Sequence, residues 1–458
     1  MLTDVKYVPV AVELFAAAWC NLDCKYCYIP KGNPFLIKKH KQIIEEIKQV
    51  TPVINRLKKI YGNDLEIISH WGSEPSLTIS NFKDFYYEVL KQFPKFKMIS
   101  FSSNFMQKSK VDDVIDFIKT FPSDKKITFR IQLSLDGPKW ITDENRRGGA
   151  TEKIVENMIY FIKQLNITSI PHQIRTHFKP TMSRFQYPKM IKNGEVLNYY
   201  TFFDNVITKM VNANKNRKVV MSFNCDPTIV CPDDYITQDG INFNQMYENI
   251  QIIKNHNFNY VKPDFNYYHG FKKVVLLGHE LFTKTKMFTC SAGDSQFGIS
   301  EYLHPCHDTF YLPYDEIVDS FEDDTDRIQS INEIQNVKSG RDYMTRNILC
   351  KKFSDLDEKG VLDYVYLMRG FHDFFRLRLS NSIAVIKELA YANQISKCYM
   401  HDEMAELLGA FTITRHSCPT GQMQYLASMN INHISYFRLF GNGLIENFLK
   451  KFIDEKYV

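Results

Sequence analysis

Three cysteines fall within eight residues of the chain, Cys20, Cys24 and Cys27, in the spacing C-x3-C-x2-C. Side chains on a helix repeat every 3.6 residues, so a helix would turn only some of these thiols toward one centre. A loop can wrap all three around a single ion or cluster. Three sulfurs are one fewer than a structural zinc or an ordinary cubane takes. A metal held by three protein ligands keeps a position open for chemistry. The same spacing also fits a redox-inert zinc knuckle or scattered buried thiols.

The elements around this loop are those of a parallel α/β sheet. The stretch 7–19 is apolar and short and reads as a buried strand leading into the cysteines. Residues 38–61 carry helical spacing, with Ile43, Ile47, Val50, Ile54 and Leu57 recurring at intervals of four and three. Pro52 lies inside this run, so a kink or restart is expected there. Strands are then predicted at 65–71, 97–102, 126–135, within 167–179 and at 219–223. Helices are predicted at 82–93, 111–121 and 151–165, with helical material to about 212. Strand, helix, strand in that order implies crossovers and parallel pairing. Six such units in about 225 residues suit a partial (β/α)6 barrel, in which reacting residues gather at the carboxyl ends of the strands. Polar clusters stand at those ends: Gly72-Ser73-Glu74-Pro75, Ser102-Ser103-Asn104, Ser134-Leu135-Asp136-Gly137-Pro138 and Asn224-Cys225-Asp226.

The cysteine triplet resembles the cluster signature of the radical S-adenosylmethionine (radical SAM) enzymes, a family that folds as a partial (β/α)6 barrel. The resemblance covers residues 5 to about 225 well. It implies that Cys20, Cys24 and Cys27 hold a 4Fe-4S cluster whose fourth iron binds S-adenosylmethionine (SAM). One electron would then cleave SAM to methionine and a 5′-deoxyadenosyl radical that abstracts hydrogen from a substrate. Gly72-Ser73-Glu74-Pro75 resembles the family's G-G-E-P, which receives the SAM amino group; Ser73 replaces the second glycine. Ser102-Ser103-Asn104 stands where the family has T-N-G, with Phe105 in place of the glycine, and lines the SAM pocket by the same implication. Ser134-Leu135-Asp136-Gly137-Pro138 resembles the S-x-D-G-P of peptide-modifying members, and Arg146 stands ten residues after Asp136. There, serine and arginine approach the SAM carboxylate and ribose; Arg147 is a rival for that place. Tyr28 would shield the cluster or flank adenine. His70 and His177 lie near strand ends and read as structural histidines.

A second group, Cys290 and Cys306 with fifteen residues between them, brackets Gly298-Ile299-Ser300, which suggests a hairpin. It resembles the start of the SPASM or twitch auxiliary-cluster region of sulfatase maturases and peptide-modifying enzymes. The dense cysteine run that completes SPASM is missing, and Glu301 replaces its glycine. One auxiliary cluster on Cys290, Cys306 and Cys350, with Cys398 or Cys418, stands against a degenerate region of buried thiols. Cys225 and Cys231 flank the end of the sixth strand and stay unassigned.

These features divide the chain into a barrel at 1–235, linker helices plus the SPASM-like region at 236–354, and a helical C-terminal region at 355–458, an α-rich tail with no family match. The first strand starts so early that no leader-peptide-binding domain is expected before the barrel. The net charge of +5 over 458 residues is too mild to argue for nucleic acid. No window reaches the roughly 20 apolar residues of a membrane span. Glu13 interrupts the apolar run before Cys20, which argues against a signal peptide. Ten cysteines in so long a chain fit a reducing compartment, the cytoplasm. The reading is thus a radical SAM enzyme that abstracts hydrogen from a peptide or protein, with a reductase or flavodoxin-type electron donor. The alternatives are a small-molecule or nucleic-acid substrate, or a non-catalytic metal-binding interaction protein.

Overall fold

The computed structural model describes residues 10–15, 19–25, 27, 34–182, 186, 189–190, 193–229, 252–253, 255–263, 296–300, 302–305, 351–366 and 368. Its frame is one sheet. Strand β1 spans Ala11–Phe15, β2 Ile67–Trp71, β3 Met98–Ser103, β4 Thr128–Leu133, β5 Gln173–Phe178 and β7 Val219–Met221. These six lie side by side in chain order, and each pair is parallel. Between them run α1 (Pro34–Gln49), α2 (Thr51–Tyr61), α3 (Lys83–Gln92), α4 (Lys108–Lys119), α5 (Lys139–Asn145), α6 (Ala150–Ile167) and α7 (Val196–Ala213). Every crossover steps the same way along the sheet. Because such crossovers are right-handed, all the helices fall on one face. That is the order of a barrel wall, not of a sheet wound in two directions.

The strands carry the same message. In β3, β4 and β5 every second residue is buried: Ile99 and Phe101, Phe129 and Ile131, Ile174 and Thr176. These meet the helices in one apolar core, where Tyr86, Phe117, Phe121 and Phe129 pack edge to face with ring centres 5.1–5.6 Å apart for adjacent pairs. Such a ring contributes about 1.5–3 kcal/mol by burial, with roughly another 0.5–1.5 from each well-placed ring pair. The opposite face is polar. Glu13, Ser69, Ser100, Arg130 and Arg175 stand in register across five strands. A parallel sheet covered on both faces would be apolar on both; this one has an open, polar inner side.

The expected break near Pro52 is present. Helix α1 ends at Gln49, Val50 takes a positive φ of 63°, and α2 restarts with Pro52 in its first turn, where a missing N–H costs no bond. The expected hairpin is also present, as β9 (Gln296–Ile299) and β10 (Tyr302–His304). Sequence reading did not anticipate its place: β9 pairs in parallel with the free edge of β1, and β11 (Lys351–Lys352) follows β10. The barrel sheet thus gains three strands from 236–354, the region expected to hold linker helices and the SPASM-like hairpin. Arg56 fastens this extension. It pairs with Glu46, donates to the Ser300 carbonyl at 2.8 Å and lies over the Phe353 ring. Two short strands, β6 (Thr181–Met182) and β8 (Thr228–Ile229), pair in parallel beyond β5 and β7. The expected helices of the C-terminal tail beyond 368 lie outside the described residues. Among the described residues no helix is long and apolar enough to cross a membrane.

Candidate functional site

The loop carrying the cysteines leaves the carboxyl end of β1 and is tied to three neighbours. The backbone N–H of Glu74, after β2, donates to the Trp19 carbonyl at 3.3 Å. The side chain of Asn104, after β3, donates to Asn21 Oδ1 at 2.8 Å and to Cys20 Sγ at 3.7 Å. On the far side the Lys25 N–H donates to the carbonyl of Asn145, the last residue of α5, at 2.9 Å. Within the loop, Cys20 Sγ also accepts from the Leu22 N–H, and the Cys27 N–H donates to the Cys24 carbonyl. Cys24 is buried; Cys20 and Cys27 are half-buried, and all three are thiols rather than disulfides.

Glu74 sits at the end of β2 and caps the short turn Pro75–Leu77. Its Oε1 accepts from the Ser76 N–H at 3.2 Å, the Ser76 hydroxyl at 2.6 Å and the Ser103 hydroxyl at 2.7 Å. Its Oε2 accepts from the Asn104 N–H at 2.8 Å. Each carboxylate oxygen has two lone pairs, so Oε2 retains room for one more donor. All these donors are neutral, and the side chain is only 2% exposed. Burial raises its pKa, and the four hydrogen bonds offset only part of that.

Ser134, after β4, joins the same group through its N–H, which donates to the Ser103 carbonyl at 3.0 Å. Two residues on, Asp136 is fully buried and holds Arg146 in a fork: Nε to Oδ2 and Nη2 to Oδ1, both 2.8 Å. Asp136 Oδ1 also accepts from the Thr181 N–H at 3.1 Å, and Oδ2 from Asn145 Nδ2 at 3.4 Å. The remaining nitrogen of Arg146, Nη1, faces Cys24 Sγ at 3.8 Å. Gly137 is required where it stands: its φ is +153°, and a Cβ there would meet the Tyr199 ring at 2.9 Å.

Backbone strain marks two further positions. Ser73 has φ +27° and Phe105 φ +46°, the left-handed region that glycine enters freely and other residues enter at roughly 1–2 kcal/mol. At both positions the chain lacks a glycine of a motif it resembles. Ser73 Oγ is buried with no hydrogen-bond partner among the described residues, as is Asn145 Oδ1.

The structure therefore brings Cys20, Cys24, Gly72, Ser73, Glu74, Asn104, Ser134 and Arg146 to one end of the sheet, with Cys27 on the same loop. Tyr28, Cys290, Cys306, Cys350 and Cys231 lie outside the described residues. His70 is buried away from charge, bonded to the Tyr86 hydroxyl at 2.5 Å, and its pKa is lowered to about 3 by burial. Cys225 is buried, and burial pushes its thiol well above the usual range. Residues the sequence reading did not single out are Asn21, Ser76, Asp136 as the partner of Arg146, and Asn145. Among the described residues no three Cys, His, Asp or Glu side chains stand together as a ready-made metal cage. By donor chemistry the loop suits an iron–sulfur cluster. It offers three thiols, and Cys20 and Cys24 already receive N–H donors of the kind that surround cluster thiolates.

No family model matches the sequence, and no curated protein matches it. Among solved structures, those of the sulfatase-maturating enzyme anSMEcpe are similar to this chain. The native enzyme with bound AdoMet aligns at 14% identity and a TM-score of 0.37, covering 78% of this chain and 97% of that one. The form with bound AdoMet and the Cp18Cys peptide aligns at 15% and 0.34, with the same coverage. A histidine-tagged form with AdoMet aligns at 15% and 0.36, covering 79% and 96%.

Proposed function

We propose that this chain is a radical SAM enzyme that acts on a residue of a peptide or protein. The observation that carries the reading is Glu74: a buried carboxylate, supplied with neutral donors and no cation among the described residues, hydrogen-bonded through its own backbone and through Asn104 to the loop bearing Cys20, Cys24 and Cys27. A buried carboxylate without a counter-charge is costly. A ligand ammonium at Oε2 would supply that charge as a strong charge-assisted hydrogen bond. SAM presents an amino group, and the cysteine loop lies one hydrogen bond away.

In this reading Cys20, Cys24 and Cys27 hold a 4Fe-4S cluster. When bound there, the cluster supplies the electron that splits SAM into methionine and the radical that takes hydrogen from substrate. The chain's own residues do the rest. Glu74 orients the amino group. Ser76 and Ser103 keep the carboxylate aimed, and Asn104 fixes the loop against β3. Ser73 and Phe105 take the left-handed backbone that glycine enters freely, at positions where the resembling motifs carry glycine. The peptide or protein substrate rests on the resemblance of the Ser134-x-Asp136-Gly137-Pro138 and Arg146 pattern and of the Cys290 and Cys306 pair, and the electron donor would be a reductase or flavodoxin-type protein. Ten cysteines in so long a chain, three of them on one loop, suit a reducing compartment such as the cytoplasm.

The test is SAM turnover by the anaerobically reconstituted protein with dithionite. The expected products are 5′-deoxyadenosine and methionine, formed by the wild type and absent from Cys24→Ala. Equal product from that variant would contradict the assignment.

A further inference from the structure

We propose that Arg146, locked by Asp136, is a positioning residue for Cys24 that sets the reduction potential of the cluster this cysteine holds. The inference rests on the cluster reading above and extends it to a residue whose resemblance-based role was different, contact with the SAM carboxylate. A guanidinium grips a carboxylate with a two-pronged fork. In this protein the fork formed by Nε and Nη2 is already taken by Asp136, with both contacts at 2.8 Å. The pair is buried, with side chains 7% and 0% exposed.

The carboxylate is itself fixed. The Thr181 N–H and Asn145 Nδ2 hold its oxygens. The Asp136 and Gly137 N–H groups both donate to Thr142 Oγ1, at 3.2 and 3.0 Å. Arg146 is anchored at its other end, its N–H donating to the Thr142 carbonyl at 2.9 Å. A guanidinium whose fork is taken cannot turn that fork to a ligand without breaking a buried ion pair. Its Nη1 is directed at Cys24 Sγ at 3.8 Å.

Reducing a cluster adds negative charge, part of it on the ligand sulfurs. A charged N–H donor at one sulfur stabilises the reduced form and raises the potential. At Cys20 the side-chain donor from Asn104 is a neutral amide, whereas the donor at Cys24 carries a charge. The ion pair therefore does two things. It holds the Cys24 side of the loop, and it places a fixed cation against one of three thiolates.

The experiment compares wild type, Arg146→Gln and the double variant Asp136→Asn/Arg146→Gln, each reconstituted anaerobically. The double variant replaces the ion pair with two amides of similar shape, so it keeps the test alive should the single variant fail to fold. Two quantities are read without turnover: the midpoint potential of the reduced cluster's paramagnetic signal, and SAM affinity by equilibrium dialysis. The expected result is a more negative midpoint in both variants, larger in the single one, where Asp136 is left unneutralised. Midpoints equal to wild type at equal iron content overturn the proposal, above all if SAM affinity alone falls, because that is the signature of a carboxylate grip. A wild type that takes up no iron removes the cluster reading itself, whereas a loaded wild type with unshifted variants removes only this inference.

Discussion

Two buried carboxylates stand at the same end of the sheet and satisfy their needs in opposite ways. Asp136 has a full counter-charge: an arginine fork with two 2.8 Å contacts plus two neutral donors. Glu74 has four neutral hydrogen bonds and, among the described residues, no cation; its pKa is raised because burial outweighs those bonds. The first arrangement is complete within the protein. The second is complete only when something positive arrives. In the proposals above the Asp136–Arg146 pair is framework and Glu74 faces the ligand, although Arg146 and Glu74 were both read from sequence as SAM contacts.

The sharpest way to break this contrast is to remove one member of the ion pair. Asp136→Ala leaves Arg146 charged and buried, and a stability loss of about 3–5 kcal/mol is expected in denaturant unfolding. A loss below about 1 kcal/mol would show that the pair is not part of the framework. At Glu74 the expected response is smaller and differs in kind. Glu74→Gln turns one acceptor into a donor facing donors and costs about 1–3 kcal/mol. Its pH dependence carries more information. The folded state holds a proton on Glu74 at pH values where the unfolded chain, with a pKa near 4.5, has lost it. Wild-type stability therefore falls as pH rises from about 4.5 through the raised folded value. Glu74→Gln lacks that fall, so its deficit is largest in acid and shrinks with rising pH. SAM affinity of the wild type should rise across the same interval. Parallel stability curves for the two proteins would show that Glu74 is not held protonated by burial.

Ser103→Ala removes one hydroxyl donor from Oε1 and should cost about 1 kcal/mol, while raising the Glu74 pKa further. The smallest effect belongs to Ser73→Gly. With φ at +27°, glycine relieves the left-handed strain, and stability should stay level or rise by up to about 1 kcal/mol. A clear loss would mean that the Ser73 hydroxyl has a structural partner.

Much of this was legible in the sequence. Strand and helix alternation marked the six strands and their parallel direction, because each unit is local and carries its own apolar period; their sequential order was expected from the resemblance to a partial barrel. The restart after Val50 followed from Pro52. The polar clusters at the strand ends lie together because parallel strands all point the same way. Other features had no local signal. The pairing of β9 with β1 joins residues nearly three hundred positions apart through a four-residue strand, and no periodicity encodes such a partner. The ten-residue spacing of Asp136 and Arg146 was visible, but the choice of carboxylate for the fork depends on where α5 places the arginine. Ser73 and Phe105 read as departures from a motif; both take the left-handed backbone that glycine enters freely.

The measurement that tests the central claim most directly is iron and acid-labile sulfide per chain after anaerobic reconstitution, for the wild type and for a triple Cys20→Ala/Cys24→Ala/Cys27→Ala variant. The account predicts about four of each lost on going from wild type to variant, one cubane's worth, whatever the later cysteines hold. Zinc in place of iron, no metal at all, or the same iron content in both proteins would contradict it.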